Sequence, residues 1–136
     1  MKYENLNKST QLVAGIVLHK TNMNGYTTDL DKGYISYADS TDDRSLGNGV
    51  IFVGLAFPTT PALAYEQWFS PADQKTHSGA MGHVLAQQTY KPGEAFTYYW
   101  GSGWSKHDIK TYEAWNKYMA DFVKRIKSPL KVTVKQ

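Results

Sequence analysis

The chain has 136 residues, of which 41% are hydrophobic and 14% aromatic, and its formal net charge is +3. This length supports one globular core, so we expect a single domain over residues 1–136. Charged residues make up only 20% of the chain, which excludes a strong field for nucleic acid. There is no cysteine, which excludes disulfides, thiolate catalysis and cysteine metal sites. The N-terminus lacks the apolar stretch of a signal peptide, and no apolar run approaches the length of a membrane span, so the sequence predicts a soluble chain without a membrane partner.

Two apolar segments predict the buried strands of a layered β sandwich. Residues 12–18 and 50–57 are apolar on both alternating faces and rich in β-branched side chains. Residues 22–32 and 42–49 are rich in turn formers and are predicted to be loops, with a short strand at 34–38 between them. Two strands buried on both sides favour a sandwich over a single exposed sheet.

Residues 58–82 break this pattern, because prolines and glycines are spread among polar and aromatic residues. The segment is predicted to be one long loop. A loop of this length in a compact domain is usually functional or mobile.

A hairpin is predicted next, with strands at 83–90 and 95–100 and a Pro-Gly turn between them. If Tyr90 pairs with Ala95, alternation brings the side chains of both strands to one face and sets His83 opposite Ser102. The members of that face are His83, Leu85, Gln87, Thr89, Phe96, Tyr98, Trp100 and Ser102.

One amphipathic helix is the clearest element. Its apolar stripe recurs at spacings of three and four residues and consists of Tyr112, Trp115, Met119, Phe122 and Ile126. Basic residues late in the chain suit the last turns of this helix, so they need no nucleic-acid partner. Pro129 ends the helix, and residues 130–135 alternate as a final strand. The fold class is therefore mainly β, an antiparallel sandwich with one C-terminal amphipathic α-helix.

The familiar catalytic and cofactor motifs are missing. The sequence has no G-x-x-x-x-G-K-[ST], no G-x-G-x-x-G after a strand, no H-E-x-x-H and no G-x-S-x-G. The four histidines show no metal spacing, and Asp29-x-Asp31-x-Gly33 is interpreted as a turn rather than a calcium loop. We expect neither a metal nor a cofactor.

The aromatic residues around β-type segments predict a sugar-contact surface. Tyr98, Trp100 and Trp104 provide broad rings for the C–H faces of a pyranose, and Gln87 and Ser105 provide neutral hydrogen-bonding groups. The glycines between the tryptophans predict a sharp turn that presents both indoles outside the sheet. Tyr98 and Trp100 are equally compatible with ordinary core rings.

Two residues are candidates for proton transfer, His83 and Lys106. Lys106 is also a candidate partner for an acidic sugar such as a uronate. The carboxylates of Asp39, Glu66 and Asp73 show no pairing of the kind that glycoside hydrolysis usually needs.

Several segments resemble a known bacterial family. They are G-H-V-L-A-Q-Q-T-Y-K-P-G-E-A-F-T-Y-Y-W-G-S-G-W-S-K, A-W-N-K-Y-M-A-D-F, S-P-L-K-V-T-V-K, A-G-I-V-L and K-G-Y-I-S-Y-A-D. They resemble, in the same order, the C-terminal part of the family called domain of unknown function 4861. The resemblance implies exported proteins of Bacteroidetes, encoded among polysaccharide-utilisation genes and pectin-degrading enzymes. It further implies that the chain is the C-terminal portion of a larger β-supersandwich of the galactose-mutarotase type.

Three functions remain open at this point. The chain is one wall of the cleft of a carbohydrate-active lyase or hydrolase, or a non-catalytic glycan-binding module, or a structural half-domain completed by a second copy through exposed strand edges. The expected ligand is a glycan of pectin or uronate type. The chain itself has no recognisable signal peptide, while the resemblance implies a periplasmic or secreted location.

Overall fold

The computed structural model describes residues 2–3, 7–40, 44–59, 61 and 63–133. Within these residues the chain forms nine strands and two α-helices. In chain order they are β1 (Lys2–Tyr3), β2 (Thr10–His19), β3 (Tyr26–Asp29), β4 (Tyr34–Ser40), β5 (Val50–Ala56), β6 (Leu63–Trp68), α1 (Pro71–Thr76), β7 (Ala80–Tyr90), β8 (Phe96–Thr97), β9 (Tyr99–Trp104) and α2 (Tyr112–Lys127).

Two antiparallel sheets pack face to face. One has the strand order β2-β7-β6 and the other has the order β3-β4-β5-β9, while β1 and β8 pair separately. Strand β2 packs on β4 and β5. The inter-sheet core is lined by Ala14, Ile16, Leu18, Ile35, Tyr37, Leu55, Phe57, Val84, Ala86, Tyr90 and Phe96. The predicted β sandwich is therefore confirmed.

Helix α2 covers the opposite face of the four-stranded sheet. Along β5, Phe52 and Ala56 face the helix, while Leu55 faces the other sheet. Successive side chains of a strand point to opposite faces, so this one strand contributes to two cores. This arrangement explains why the sequence of β5 is apolar on both faces.

The predicted C-terminal helix is confirmed, and all five residues of its apolar stripe lie in the core beneath it. Its first turn is capped because the Thr111 hydroxyl accepts a hydrogen bond from the Ala114 amide at 3.2 Å. Lys124, Arg125 and Lys127 occupy the last turn, where cations complement the helix dipole. Neither helix among the described residues has the length and apolar character needed to cross a membrane.

Two predicted loops contain regular structure. Strand β3 lies within residues 22–32, and residues 58–82 contain β6, α1 and the start of β7. Ser70 starts α1 by accepting a hydrogen bond from the Asp73 amide, and Pro71 occupies the first turn. Both β3 and β6 are short edge strands whose partners, β4 and β7, hold them in place. Their own sequences carry little alternation to reveal them.

The predicted hairpin is wrong. Tyr90 pairs with Thr10 and not with Ala95, and His83 lies between Val17 and Gln67 rather than opposite Ser102. Strand β7 is the central strand of its sheet, so both of its edges are already occupied by β2 and β6. The chain therefore crosses to the other sheet, where β9 pairs with β5.

The predicted final strand is also wrong for its described part. Residues 130–133 belong to no strand, and Leu130 and Val132 are 94% and 85% exposed. The segment alternates in sequence, but among the described residues it pairs with no neighbouring strand. Residues 134 and 135 lie outside the described residues.

Candidate functional site

Strand β9 is an edge strand, and both of its faces are only partly covered. One edge pairs with β5, and no other described strand pairs with β9. Tyr99, Gly101 and Gly103 face helix α2. Trp100 and Trp104 point to the opposite side, because side chains alternate along a strand. The strand therefore presents two candidate surfaces.

The first surface is a cleft of about 250 Å³ between β9 and α2. Its lining consists of Gly54, Ala56, Tyr99, Trp100, Gly101, Ser102, Gly103, Asp108, Ile109, Trp115, Tyr118, Met119 and Phe122. A Cβ added at Gly101 would have no atom within 4 Å, whereas one at Gly103 would lie 3.3 Å from the Trp115 ring. Gly101 thus leaves its part of the strand backbone open, whereas the Trp115 ring lies against Gly103.

The walls of this cleft are aromatic rings that pack on one another. Tyr118 stacks on Trp115 and Phe122 with centroid distances of 5.4 and 6.3 Å, and Tyr99 meets the Phe122 ring edge-on at 5.6 Å. The Trp115 indole N–H donates to the Val53 carbonyl at 3.1 Å, which anchors the row. Tyr99 and Tyr118 are 41% and 44% exposed, so these packed rings also reach solvent.

A carboxylate stands at the mouth of the cleft. Asp108 contacts Nδ1 of His107 at 3.0 Å. The hydrogen bond with His107, and then one with its own backbone amide, lowers the pKa of the Asp108 carboxyl below its ordinary value. Asp108 is therefore ionised at neutral pH and accepts hydrogen bonds. The Arg125 guanidinium lies 5.8 Å from the centre of the Tyr118 ring, one of the rings of this cleft.

The second surface, on the sandwich side of β9, we call the tryptophan shelf; it comprises Ile51, Trp100, Ser102 and Trp104. Ile51, Trp100 and Trp104 are 37%, 70% and 44% exposed. The three-stranded sheet ends at β2, which lies over β4 and β5, and the shelf beside it stays partly exposed. The indole N–H of Trp104 donates to the Asn48 carbonyl at 2.8 Å, which orients that ring.

The structure brings the predicted ligand residues Trp100 and Trp104 together on this shelf. They lie on a regular strand, so the predicted sharp turn is wrong. Tyr98, by contrast, is half-buried and packs against Phe57 and Phe96 at 6.5 and 5.9 Å. Tyr98 thus packs as a core ring, which is one of the two interpretations that the sequence left open.

Ser105 and Lys106 lie just beyond the end of β9. The Ser105 hydroxyl accepts a hydrogen bond from the Val50 amide at 2.8 Å, and its own amide donates to the Val50 carbonyl. This serine therefore extends the pairing of β5 with β9. Lys106 is exposed in the turn that follows.

Gln87 and His83 lie on the other sheet, away from β9. Gln87 accepts a hydrogen bond from the Tyr65 hydroxyl at 3.3 Å. The His83 ring meets Phe69 edge-on at 5.0 Å, and burial, with a smaller effect of His77, lowers the pKa of this imidazole. The structure thus separates His83 from Lys106 and from both tryptophans.

The sequence interpretation missed the residues that form the cleft, Tyr99, Gly101, Asp108 and Tyr118. A signal was present, because glycines at alternate positions of a strand remove the side chains from one face. The described residues contain no group of three or more histidine, aspartate or glutamate side chains able to hold a metal ion.

Comparisons with known proteins give one match. Neither the curated proteins nor the solved structures include a match to this chain. A family model described as "Domain of unknown function (DUF4861)" matches residues 1–132, which is nearly the whole chain. The chain belongs to the DUF4861 family, as its sequence motifs indicated.

Proposed function

We propose that this chain is a carbohydrate-binding domain of a polysaccharide-degrading system and that it holds a sugar in the cleft between β9 and α2. The observation that carries the proposal is a cleft that contains the open backbone of Gly101 together with the exposed rings of Tyr99 and Tyr118. The exported location and the mutarotase-type supersandwich that the family resemblance implies belong to the same proposal.

The cleft matches the two-sided chemistry of a sugar. The C–H faces of a pyranose pack on aromatic rings, and its hydroxyls need fixed acceptors and donors. The rings of Tyr99 and Tyr118 supply the first, and the Asp108 carboxylate supplies an acceptor at the mouth. A flat floor without side chains lets a ring approach the strand closely.

The charge of the cleft favours a neutral sugar unit at this position. Asp108 is the one carboxylate among the described lining residues, and it would repel the carboxylate of a uronate. If the ligand is the pectin-type glycan that we expect, its uronates lie beside the cleft, where Lys106 is exposed.

The same lining favours binding over catalysis. Glycoside hydrolysis usually needs two carboxylates that flank the scissile bond, and no lining residue that the structure describes gives Asp108 a second carboxylate as partner. His83, the predicted proton carrier, lies on the other sheet. We therefore favour the non-catalytic module over the lyase or hydrolase alternative.

The decisive variant is Gly101→Val. The Cβ of a valine at this position would meet no atom within 4 Å, and valine suits a strand, so its side chain should enter the cleft and block the sugar while the fold persists. Isothermal titration with neutral and uronate-containing tetrasaccharides should show binding to the wild type and its loss in the variant. Thr28→Val, at an exposed position of β3, is the matched control.

Unchanged sugar affinity in a folded Gly101→Val protein would exclude the cleft as the site. If the variant fails to fold, Gly101→Ala replaces it, and a partial loss of affinity is then expected. A wild type that binds none of the tetrasaccharides would contradict the proposal as a whole.

A second candidate function, the half-domain completed by another copy, is favoured by a different surface. The outer face of the three-stranded sheet exposes Val13 (45%), Val17 (38%) and Leu63 (46%), and no described strand pairs with the free edge of β2. Such edges and apolar strips promote association. Light scattering should then show a dimer that the double variant Val13→Lys, Val17→Lys disrupts; a monomer at every concentration would contradict this candidate.

A further inference from the structure

A histidine–carboxylate pair closes one end of the sandwich, where β2 meets β4. Nδ1 of His19 lies 3.1 Å from Oδ1 of Asp39. The two side chains are 32% and 27% exposed, so the pair is partly shielded yet open to a ligand. The only other such pair among the described residues, His107 with Asp108, is 79% and 71% exposed.

The backbone around His19 is held from several directions. Its amide donates to the buried Tyr37 hydroxyl at 3.0 Å. The next amide, that of Lys20, donates to the Gly79 carbonyl at 2.9 Å, and the Thr21 hydroxyl donates to the Ser40 carbonyl at 3.1 Å. These hydrogen bonds fix the backbone segment from which the imidazole of His19 projects.

This geometry determines which ring nitrogen is available. A carboxylate can only accept, so Asp39 selects the tautomer of the neutral imidazole that carries its proton on Nδ1. The lone pair is then on Nε2. Among the described residues, Nε2 of His19 has no hydrogen-bond partner. The pair thus presents one oriented acceptor that nothing in the described fold uses.

Asp39, the partner of His19, belongs to a row of cross-strand neighbours that ends on the tryptophan shelf. Asp39 pairs with Ile51 on β5, and Ile51 pairs with Trp104 on β9. All three lie on the sandwich side, the side of Tyr37 and Leu55. Two strand spacings separate Asp39 from Trp104, which is about 10 Å. A ligand a few rings long can reach both ends.

We propose that His19, Asp39, Ile51 and Trp104 form a second binding site, for a neutral polyhydroxylated ring ligand such as a sugar. Nε2 of His19 accepts a hydrogen bond from a ligand hydroxyl, and the ligand ring stacks on the Trp104 indole. The site lies on the opposite side of the sheet from the cleft and shares with the proposed function only its class of ligand.

The composition of the row selects this class. Trp104 and Ile51 offer apolar surface for the C–H face of a ring, and the Nε2 lone pair needs a donor, which a hydroxyl supplies. The Asp39 carboxylate disfavours a ligand that carries its own carboxylate. Neutral sugars should therefore bind here better than uronates.

The test is a titration of ¹⁵N-labelled protein, followed by the imidazole signals of His19 in long-range ¹H–¹⁵N spectra. The probes are neutral tetrasaccharides of glucose, galactose and xylose, with tetragalacturonate as the acidic comparison. The free protein should show Nδ1 protonated and Nε2 bare. A neutral probe should shift the Nε2 signal, and Trp104→Ala should weaken the affinity measured from that shift by about two- to tenfold, the loss of one stacking contact.

Two substitutions separate ligand contact from a structural role. His19→Gln keeps an acceptor near the Nε2 position and should retain part of the affinity, whereas His19→Phe keeps the ring and removes the acceptor. Thermal unfolding identifies any loss of fold, and the wild-type titration alone decides the case if His19→Phe is unfolded.

The Gly101→Val background makes this result independent of the cleft. A His19 shift that persists in Gly101→Val supports the second site even if the cleft binds nothing. Cleft binding without any shift at His19 overturns the second site and leaves the proposed function intact. An Nε2 that is protonated in the free protein also overturns it, as does an affinity that His19→Phe leaves unchanged in the Gly101→Val background.

Discussion

Strands β5 and β9 are paired residue by residue, yet they differ in how their faces are covered. On β5, Phe52, Leu55 and Ala56 are 2%, 4% and 1% exposed, because α2 covers one face and β2 the other. On β9, Trp100 and Trp104 are 70% and 44% exposed. The aromatic residues of β9 are exposed because both covering layers end beside it. Candidate sites therefore arise where the packing stops, and no catalytic motif is needed to locate them.

The largest expected effect is a loss of stability at Trp115, where α2 covers β5. Trp115 is 2% exposed, packs on Phe52 and anchors the helix to β5 through its indole N–H. Trp115→Ala should lower the free energy of unfolding by about 3–5 kcal/mol, through the lost burial and the cavity left behind. Urea denaturation measures it. A loss below about 1 kcal/mol would show that α2 is not an integral layer of this domain.

Two glycines give a matched comparison, because Gly54 on β5 pairs directly with Gly101 on β9. A Cβ at Gly54 would lie 2.5 Å from the Met119 sulfur and 3.0 Å from Trp115, while one at Gly101 meets nothing. Gly54→Ala should cost about 1–3 kcal/mol from overpacking, and Gly101→Ala should be within about 0.5 kcal/mol of the wild type. Equal denaturation midpoints for both variants would contradict the statement that α2 covers Gly54 and leaves Gly101 open.

A smaller effect is expected at Ser36, a fully buried polar residue on the helix side of β4. Its hydroxyl contacts the Tyr112 hydroxyl at 2.9 Å and donates to the Asn116 side chain. Ser36→Ala removes this link and should cost about 1 kcal/mol in urea denaturation, since Tyr112 keeps its bonds to Thr27 and to the Ser36 carbonyl. A stabilised variant would indicate that the polar link is not needed for packing.

The smallest effect appears at alkaline pH. Burial, first among the causes, raises the pKa of Tyr34 and of Tyr37 above the ordinary tyrosine value of 10.0. The unfolded chain then loses these protons first, so stability is full below about pH 10 and falls as the pH rises further. Urea midpoints between pH 8 and 11 measure the fall, which should be smaller in Tyr37→Phe. A pH-independent midpoint would contradict the burial of these hydroxyls.

The sequence predicted those elements whose signal lies within the element itself. The apolar runs of β2 and β5 and the stripe of α2 were found because burial on both faces, or on one helical face, leaves a periodic pattern. Strands β3 and β6 were missed, because edge strands with one covered face need little apolar surface. The hairpin was misassigned because strand pairing depends on the packing of the whole sheet and not on the intervening turn alone.

The amino-acid sequence by itself determined the fold class, the C-terminal helix, the family and the concentration of aromatic residues around Trp100 and Trp104. It did so because periodicity and composition are local properties of the chain. Only the tertiary structure decided that these tryptophans share a face, that His83 lies on another sheet, and that Gly101 floors a cleft beneath Tyr99 and Tyr118. It also brought His19 to Asp39 across twenty residues. These relations depend on which strands pair and where each covering layer ends, and both are set by contacts between distant segments.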